Sequence, residues 1–122
     1  MTVLERFNEM SSKIFVDGQL RPSASTTVID VIDPATEDRL GEIPETTEAE
    51  MEEIISVANN AQKAWSDRSP LDRSHVLHEV ANKMSDMAST FAEAMTREMG
   101  KPYKESVDEV HWSVHNIRFY AE

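Results

Sequence analysis

The chain has 122 residues, with 12 Lys and Arg against 23 Asp and Glu, four His and no Cys, for a formal charge of −11. That length suits one domain, and the surplus of carboxylates argues against nucleic acid or an anionic membrane as partner, since both recruit Lys and Arg. A chain without cysteine has no disulfide, no thiolate metal ligand and no thiol nucleophile, which fits a reducing compartment.

Residues 1–12 carry Val3, Leu4, Phe7 and Met10 at helical spacing and predict a short amphipathic helix that extends the N-terminus. Lys13-Ile14-Phe15-Val16 reads as a strand. Asp17-Gly18 follows it, a pair that accepts the positive φ angles of a tight hairpin turn. After the loop Pro22-Ser23-Ala24-Ser25, the largely β-branched run Thr26 to Ile32 suits a second strand. Asp33-Pro34-Ala35-Thr36 turns, because Pro34 cannot donate to a ladder, and Leu40 to Ile43 adds a third short strand before Pro44. Strands this few and short need a helix layer or a larger sheet to be stable.

From Thr47 the period changes from two to about 3.6. Thr47-Glu48-Ala49-Glu50 matches a capping box, and Met51, Ile54, Ala58, Ala61 and Trp65 form one apolar stripe. Glu48, Glu50, Glu52 and Glu53 crowd the first turns, where the helix dipole favours acids. Ser69-Pro70 opens a second helix, with Leu77, Val80, Ala81, Met84, Ala88, Phe91, Met95 and Met99 in one unbroken stripe as far as Gly100 and Pro102. A third helix runs from Tyr103 to Glu122, with Val107, Val110, Val114, Ile117 and Ala121 on one side. Its pattern runs to Glu122 with no Gly, Asn or Pro at its end to satisfy the last carbonyls, as though cut inside an element. The fold class is therefore α+β: a short N-terminal hairpin and strands followed by three α-helices.

The sharpest arrangement of reactive side chains is histidine. His75 and His78 are three apart and His111 and His115 four apart, so each pair shares a helix face on which neutral imidazoles could chelate a divalent metal. Glu79 and Asp108 stand near enough to add carboxylates, which makes a helical metal binder one reading. Another is a stand-alone acidic interaction module that docks through its uncovered stripes. No Gly-x-Ser-x-Gly elbow is present, and the three glycines, Gly18, Gly41 and Gly100, form no phosphate-cradling motif. No stretch approaches the ~18 apolar residues of a membrane span, and the opening Met1 to Phe7 lacks the apolar run of a secretion signal. A cytoplasmic protein is the expectation.

Six segments in order carry a resemblance: Phe15-Val16-Asp17-Gly18-Gln19, Val31-Ile32-Asp33-Pro34-Ala35-Thr36, Ala61 to Trp65, Ser69-Pro70-Leu71-Asp72-Arg73, Glu98-Met99-Gly100-Lys101-Pro102 and Arg118-Phe119-Tyr120-Ala121. From about residue 13 the chain resembles the opening of the NAD(P)-dependent aldehyde dehydrogenases. The resemblance implies that residues 13–122 are the incomplete N-terminal part of an α/β, Rossmann-type coenzyme domain, with 1–12 as an extension. It implies NAD or NADP in the complete enzyme, with none bound by this chain alone. The rest of the domain would be its partner, an aldehyde the substrate, and a homo-oligomer the assembly.

The family's catalytic cysteine, general-base glutamate, oxyanion-hole asparagine and coenzyme loop lie outside the matched region. No catalytic or cofactor-binding residue is therefore expected here, and the chain alone should be inactive. Peripheral roles do transfer. Asp108, Glu109 and Trp112 match tunnel-facing positions, where Trp112 would wall an aldehyde and Glu109 would favour a cationic one. The Val31 or Ile32 carbonyl and the Glu98 carboxylate match a monovalent-cation site. One departure stands out: after Pro34-Ala35-Thr36 the family takes Gly, whereas this chain has Glu37-Asp38, and a side chain there disfavours φ > 0.

Overall fold

A computed structural model describes residues 2–122 and divides the chain into two compact units, one ending at Ala64 and the other covering Trp65–Glu122. The first unit opens with helix α1, Val3–Met10, which begins with a capping box. The Thr2 hydroxyl accepts the Glu5 N–H at 3.2 Å, and the Glu5 carboxylate accepts the Thr2 N–H at 2.6 Å. Strands β1, Lys13–Val16, and β2, Gln19–Pro22, form an antiparallel hairpin with Val16 opposite Gln19. Asp17 and Gly18 turn it with φ of 52° and 74°, the two positive values that a tight hairpin needs.

Strands β3, Val28–Ile32, and β4, Arg39–Pro44, pair antiparallel in a separate two-stranded sheet. The register shifts between Val31 and Ile32, which pair with Gly41 and Arg39, so Leu40 is the extra residue of a bulge. Leu40 is buried, as are Val3 and Val16, and these supply the apolar core of the unit. Helix α1 packs on β4 at Gly41, where a Cβ would stand 3.1 Å from Ser11 Oγ and 3.6 Å from Phe7 Cβ. A side chain at that position would push the helix away.

In the β3–β4 turn, Glu37 adopts φ = 64°, the left-handed conformation that its side chain disfavours. The turn is held around it: Asp33 O accepts Glu37 N–H at 2.8 Å, Asp38 O accepts Asp33 N–H at 2.9 Å, and Asp33 Oδ1 accepts Ala35 N–H at 2.9 Å. The geometry is kept in spite of the residue.

Helix α2, Glu48–Ser66, starts with the capping box read from the sequence. Thr47 Oγ1 accepts Glu50 N–H at 3.2 Å, and Glu50 Oε2 accepts Thr47 N–H at 3.2 Å. The apolar stripe of this helix does not enter a core. Met51, Ala58 and Ala61 are exposed and Ile54 and Trp65 half-buried, and the residue that α2 buries is Glu50.

The second unit contains three helices: α3, Pro70–Asp86; α4, Ala88–Met99; and α5, Tyr103–Ala121. The sequence pattern predicts one helix from Pro70 to Met99. The structure breaks it at Met87, which leaves the helical region at φ −99°, ψ 13°. Both α3 and α4 pack on α5.

The contact layer uses small side chains: Ala81, Ala92 and Ser106 are fully buried beside Val110, Val114 and Ala121. The hydroxyl of Ser106 meets Thr96 Oγ1 at 3.0 Å, which satisfies both groups inside the layer. Among the described residues no helix is long and apolar enough to cross a membrane.

Candidate functional site

Helix α5 buries Ser106, Val110 and Val114, and helical periodicity therefore turns the intervening positions outward. Asp108, His111, Trp112 and His115, at i, i+3, i+4 and i+7, share one outward stripe and line a recess of about 290 Å³. Trp112 is 70% exposed, a large cost in apolar surface for an indole with nothing over it. One ring in the recess is already oriented. His115 Nδ1 lies 2.8 Å from the His111 carbonyl oxygen, and since a carbonyl only accepts, Nδ1 is the donor, which in the neutral ring leaves the lone pair on Nε2.

Of the three positions that the resemblance matches to a tunnel, Asp108 and Trp112 line the recess and Glu109 does not. Glu109 makes an ion pair with Lys101, whose pKa is pushed up chiefly by that hydrogen bond, with burial opposing. The negative charge of Glu109 is thus offset by its neighbour, and the carboxylate that faces the recess is that of Asp108.

The histidines separate into two environments. His111 and His115 belong to the recess. His78 Nε2 lies 3.1 Å from Glu122 Oε1, and neither His75 nor His78 lines that recess. Among the described residues no group of three or more His, Asp or Glu converges to hold a metal ion, so the two pairs do not combine into a site between α3 and α5. The grouping of His111 and His115 with Asp108 and Trp112 is readable in their spacing along one helix. Of the residues that the resemblance matches to a monovalent-cation site, Val31 and Ile32 lie in β3 and Glu98 is exposed on α4.

A second concavity, of about 250 Å³, is bounded by Val80, Lys83, Met84, Met87 and Phe91 around the α3–α4 break. It is almost wholly apolar in character. Large apolar side chains are exposed elsewhere too, including Phe15, Met99, Phe119 and Tyr120.

Residues 20–122 match the family model described as the aldehyde dehydrogenase family. The chain is similar to 2-aminomuconic semialdehyde dehydrogenase of Homo sapiens, with 34% identity covering 88% of this chain and 22% of that protein. It is similar to NADP-dependent glyceraldehyde-3-phosphate dehydrogenase of Arabidopsis thaliana, with 31% identity covering 90% and 22%. Among solved structures, HpcC from Thermus thermophilus superposes with a TM-score of 0.91 at 26% identity, over 98% of this chain and 23% of that one. The chain spans about a quarter of the length of the relatives it matches.

Proposed function

Since the chain belongs to the aldehyde dehydrogenase family, we propose that it forms the opening segment of an enzyme that oxidises an aldehyde to a carboxylic acid with NAD or NADP. The observation that carries this reading is the superposition: nearly all of this backbone follows about a quarter of a longer homologous chain. The uncovered apolar side chains support it, because a segment that packs inside a larger domain keeps contact surface for the remainder. On this reading residues 13–122 begin the catalytic and coenzyme-binding portion and residues 1–12 precede it.

The division of labour follows from what these residues can do. Oxidation of an aldehyde through a covalent adduct needs a thiolate, and this chain has no cysteine. Each glycine serves the local backbone: Gly18 turns the first hairpin, Gly41 admits α1 against β4, and Gly100 ends α4 with φ = 71°. None of the three cradles a phosphate. The residues present therefore do not fit a dinucleotide, and both coenzyme and nucleophile fall to the remainder of the enzyme.

The contribution assigned to this chain is substrate approach. Trp112 offers an apolar wall and Asp108 a carboxylate in one recess, a combination suited to an aldehyde with a cationic or hydrogen-bond-donating tail. The NADP-dependent relative supports the coenzyme class. We place the enzyme in the cytoplasm as a homo-oligomer; the absence of cysteine in this segment supports the reducing compartment.

The test is coenzyme reduction. The enzyme containing this segment should reduce NAD⁺ or NADP⁺ in the presence of an aldehyde panel, and the 122-residue chain alone should not. Failure of the larger enzyme with every aldehyde removes the proposal. Turnover by the isolated chain removes the assignment of nucleophile and coenzyme to other residues.

A further inference from the structure

We propose that His111 and His115 form a two-imidazole chelate for a divalent transition metal on the outward face of α5, with Asp108 beside it. Three observations converge on this stripe. A separation of four residues brings the two rings one above the other on a helix. The hydrogen bond from His115 Nδ1–H to the His111 carbonyl fixes the tautomer and leaves Nε2 free; metal-binding histidines typically donate their other ring N–H in this way. The rings also line a concavity open to an entering ion, bounded on one side by the Asp108 carboxylate, in a chain of charge −11.

The chemistry of the donors selects the ion. Two neutral imidazoles suit borderline metals, and among first-row divalent ions Cu²⁺ binds nitrogen donors most strongly, with Ni²⁺ and Zn²⁺ weaker. No third protein ligand converges on this stripe among the described residues, so water fills the remaining positions. The site is then an exchangeable one rather than a closed structural centre. His75 and His78, also on one helix face, supply the internal control, because His78 is engaged by Glu122 and the pair lies outside the recess.

Titration of the purified protein with CuCl₂, read by calorimetry and by electron paramagnetic resonance, tests this. One equivalent should bind with two equatorial nitrogens. His111→Asn and His115→Asn should each weaken binding about tenfold or more and leave one nitrogen in the spectrum, while His75→Asn and His78→Asn leave both readouts unchanged. Circular dichroism confirms that the variants are folded, as expected for substitutions at exposed or half-buried positions. A wild-type spectrum without two-nitrogen coordination overturns the proposal, as does equal loss in the His75 or His78 variants.

Discussion

The carboxylate of Glu50, in the first turn of α2, accepts the backbone N–H of Ala24 at 2.6 Å. It also accepts the Ser23 hydroxyl at 2.8 Å and closes the capping box with Thr47. One side chain, 5% exposed, thus fastens the loop after the first hairpin to the start of a helix 26 residues away in sequence. Replacing Glu50 with Ala removes the acceptor shared by three part-buried hydrogen bonds and leaves their donors without it. Thermal denaturation of Glu50→Ala should show a midpoint lower by several degrees. An unchanged midpoint would mean that water replaces the carboxylate without penalty.

The same group gives the fold an acid limit. The Glu50 pKa is lowered from its ordinary 4.5, first by the Ala24 N–H and then by the Ser23 hydroxyl, with burial opposing. A carboxylate depressed in the folded state contributes stability that is fully present above the unfolded value and lost as pH falls through the folded one. Stability should therefore hold at neutral pH and decline on acidification below about 4.5. Glu42 is lowered as well, chiefly by Ser12 and then by Arg39, and it adds to the same decline. Glu50→Gln should flatten part of the pH dependence without abolishing it, as measured by denaturant unfolding at stepped pH.

Glu37 stores strain that can be removed. A non-glycine residue in the left-handed region costs roughly 1–2 kcal/mol, partly offset on substitution by the greater freedom of an unfolded glycine. With φ already at 64°, Glu37→Gly should stabilise the chain by about 0.5–1 kcal/mol in urea unfolding. A destabilised variant would show that the Glu37 side chain makes interactions worth more than its backbone strain.

These cases show which features the sequence could disclose. Local signals carry well: Asp17-Gly18 determines a turn by its own dihedrals, and Thr47 with Glu50 determines a cap within one helical turn. The capping box of Thr2 and Glu5 has the same spacing pattern and is equally readable. The break at Met87 is not, because no Gly or Pro marks it and the apolar period continues across it. The second role of Glu50, on Ser23 and Ala24, depends on a long-range approach that no local pattern encodes. At the candidate site, spacing on α5 is enough to group Asp108 with Trp112. The loss of Glu109 to Lys101 depends on where the chain turns at Gly100 and Pro102.

Val110 reports on the core of the helical unit. It is 1% exposed among the small residues that let α3 and α4 approach α5. Val110→Ala should cost about 1.5–3 kcal/mol, from lost burial and an unfilled space. Ala92→Leu should destabilise by about 1–3 kcal/mol for the opposite reason, since no volume is free at a fully buried alanine. Chemical denaturation of the two variants distinguishes a packed layer from a loose one, in which both changes would be tolerated.

Trp112 separates function from stability. Its ring is 70% exposed, so Trp112→Ala removes few packing contacts and should leave the thermal midpoint within the scatter of surface substitutions. If the ring walls the approach of an aldehyde, its loss acts on binding of the ground state and transition state alike, which raises KM and leaves kcat nearly unchanged. For an aldehyde with an apolar or cationic tail the rise should be about tenfold, the scale of one aromatic contact in a partly desolvated site. Asp108→Asn should raise KM selectively for cationic aldehydes. Lys101→Met, which leaves the Glu109 carboxylate without its ammonium partner, should lower KM for the same substrates. The opposite signs at neighbouring positions are the discriminating result. If all three variants shift KM together, or kcat falls in step with kcat/KM, the stripe does not form the aldehyde's approach.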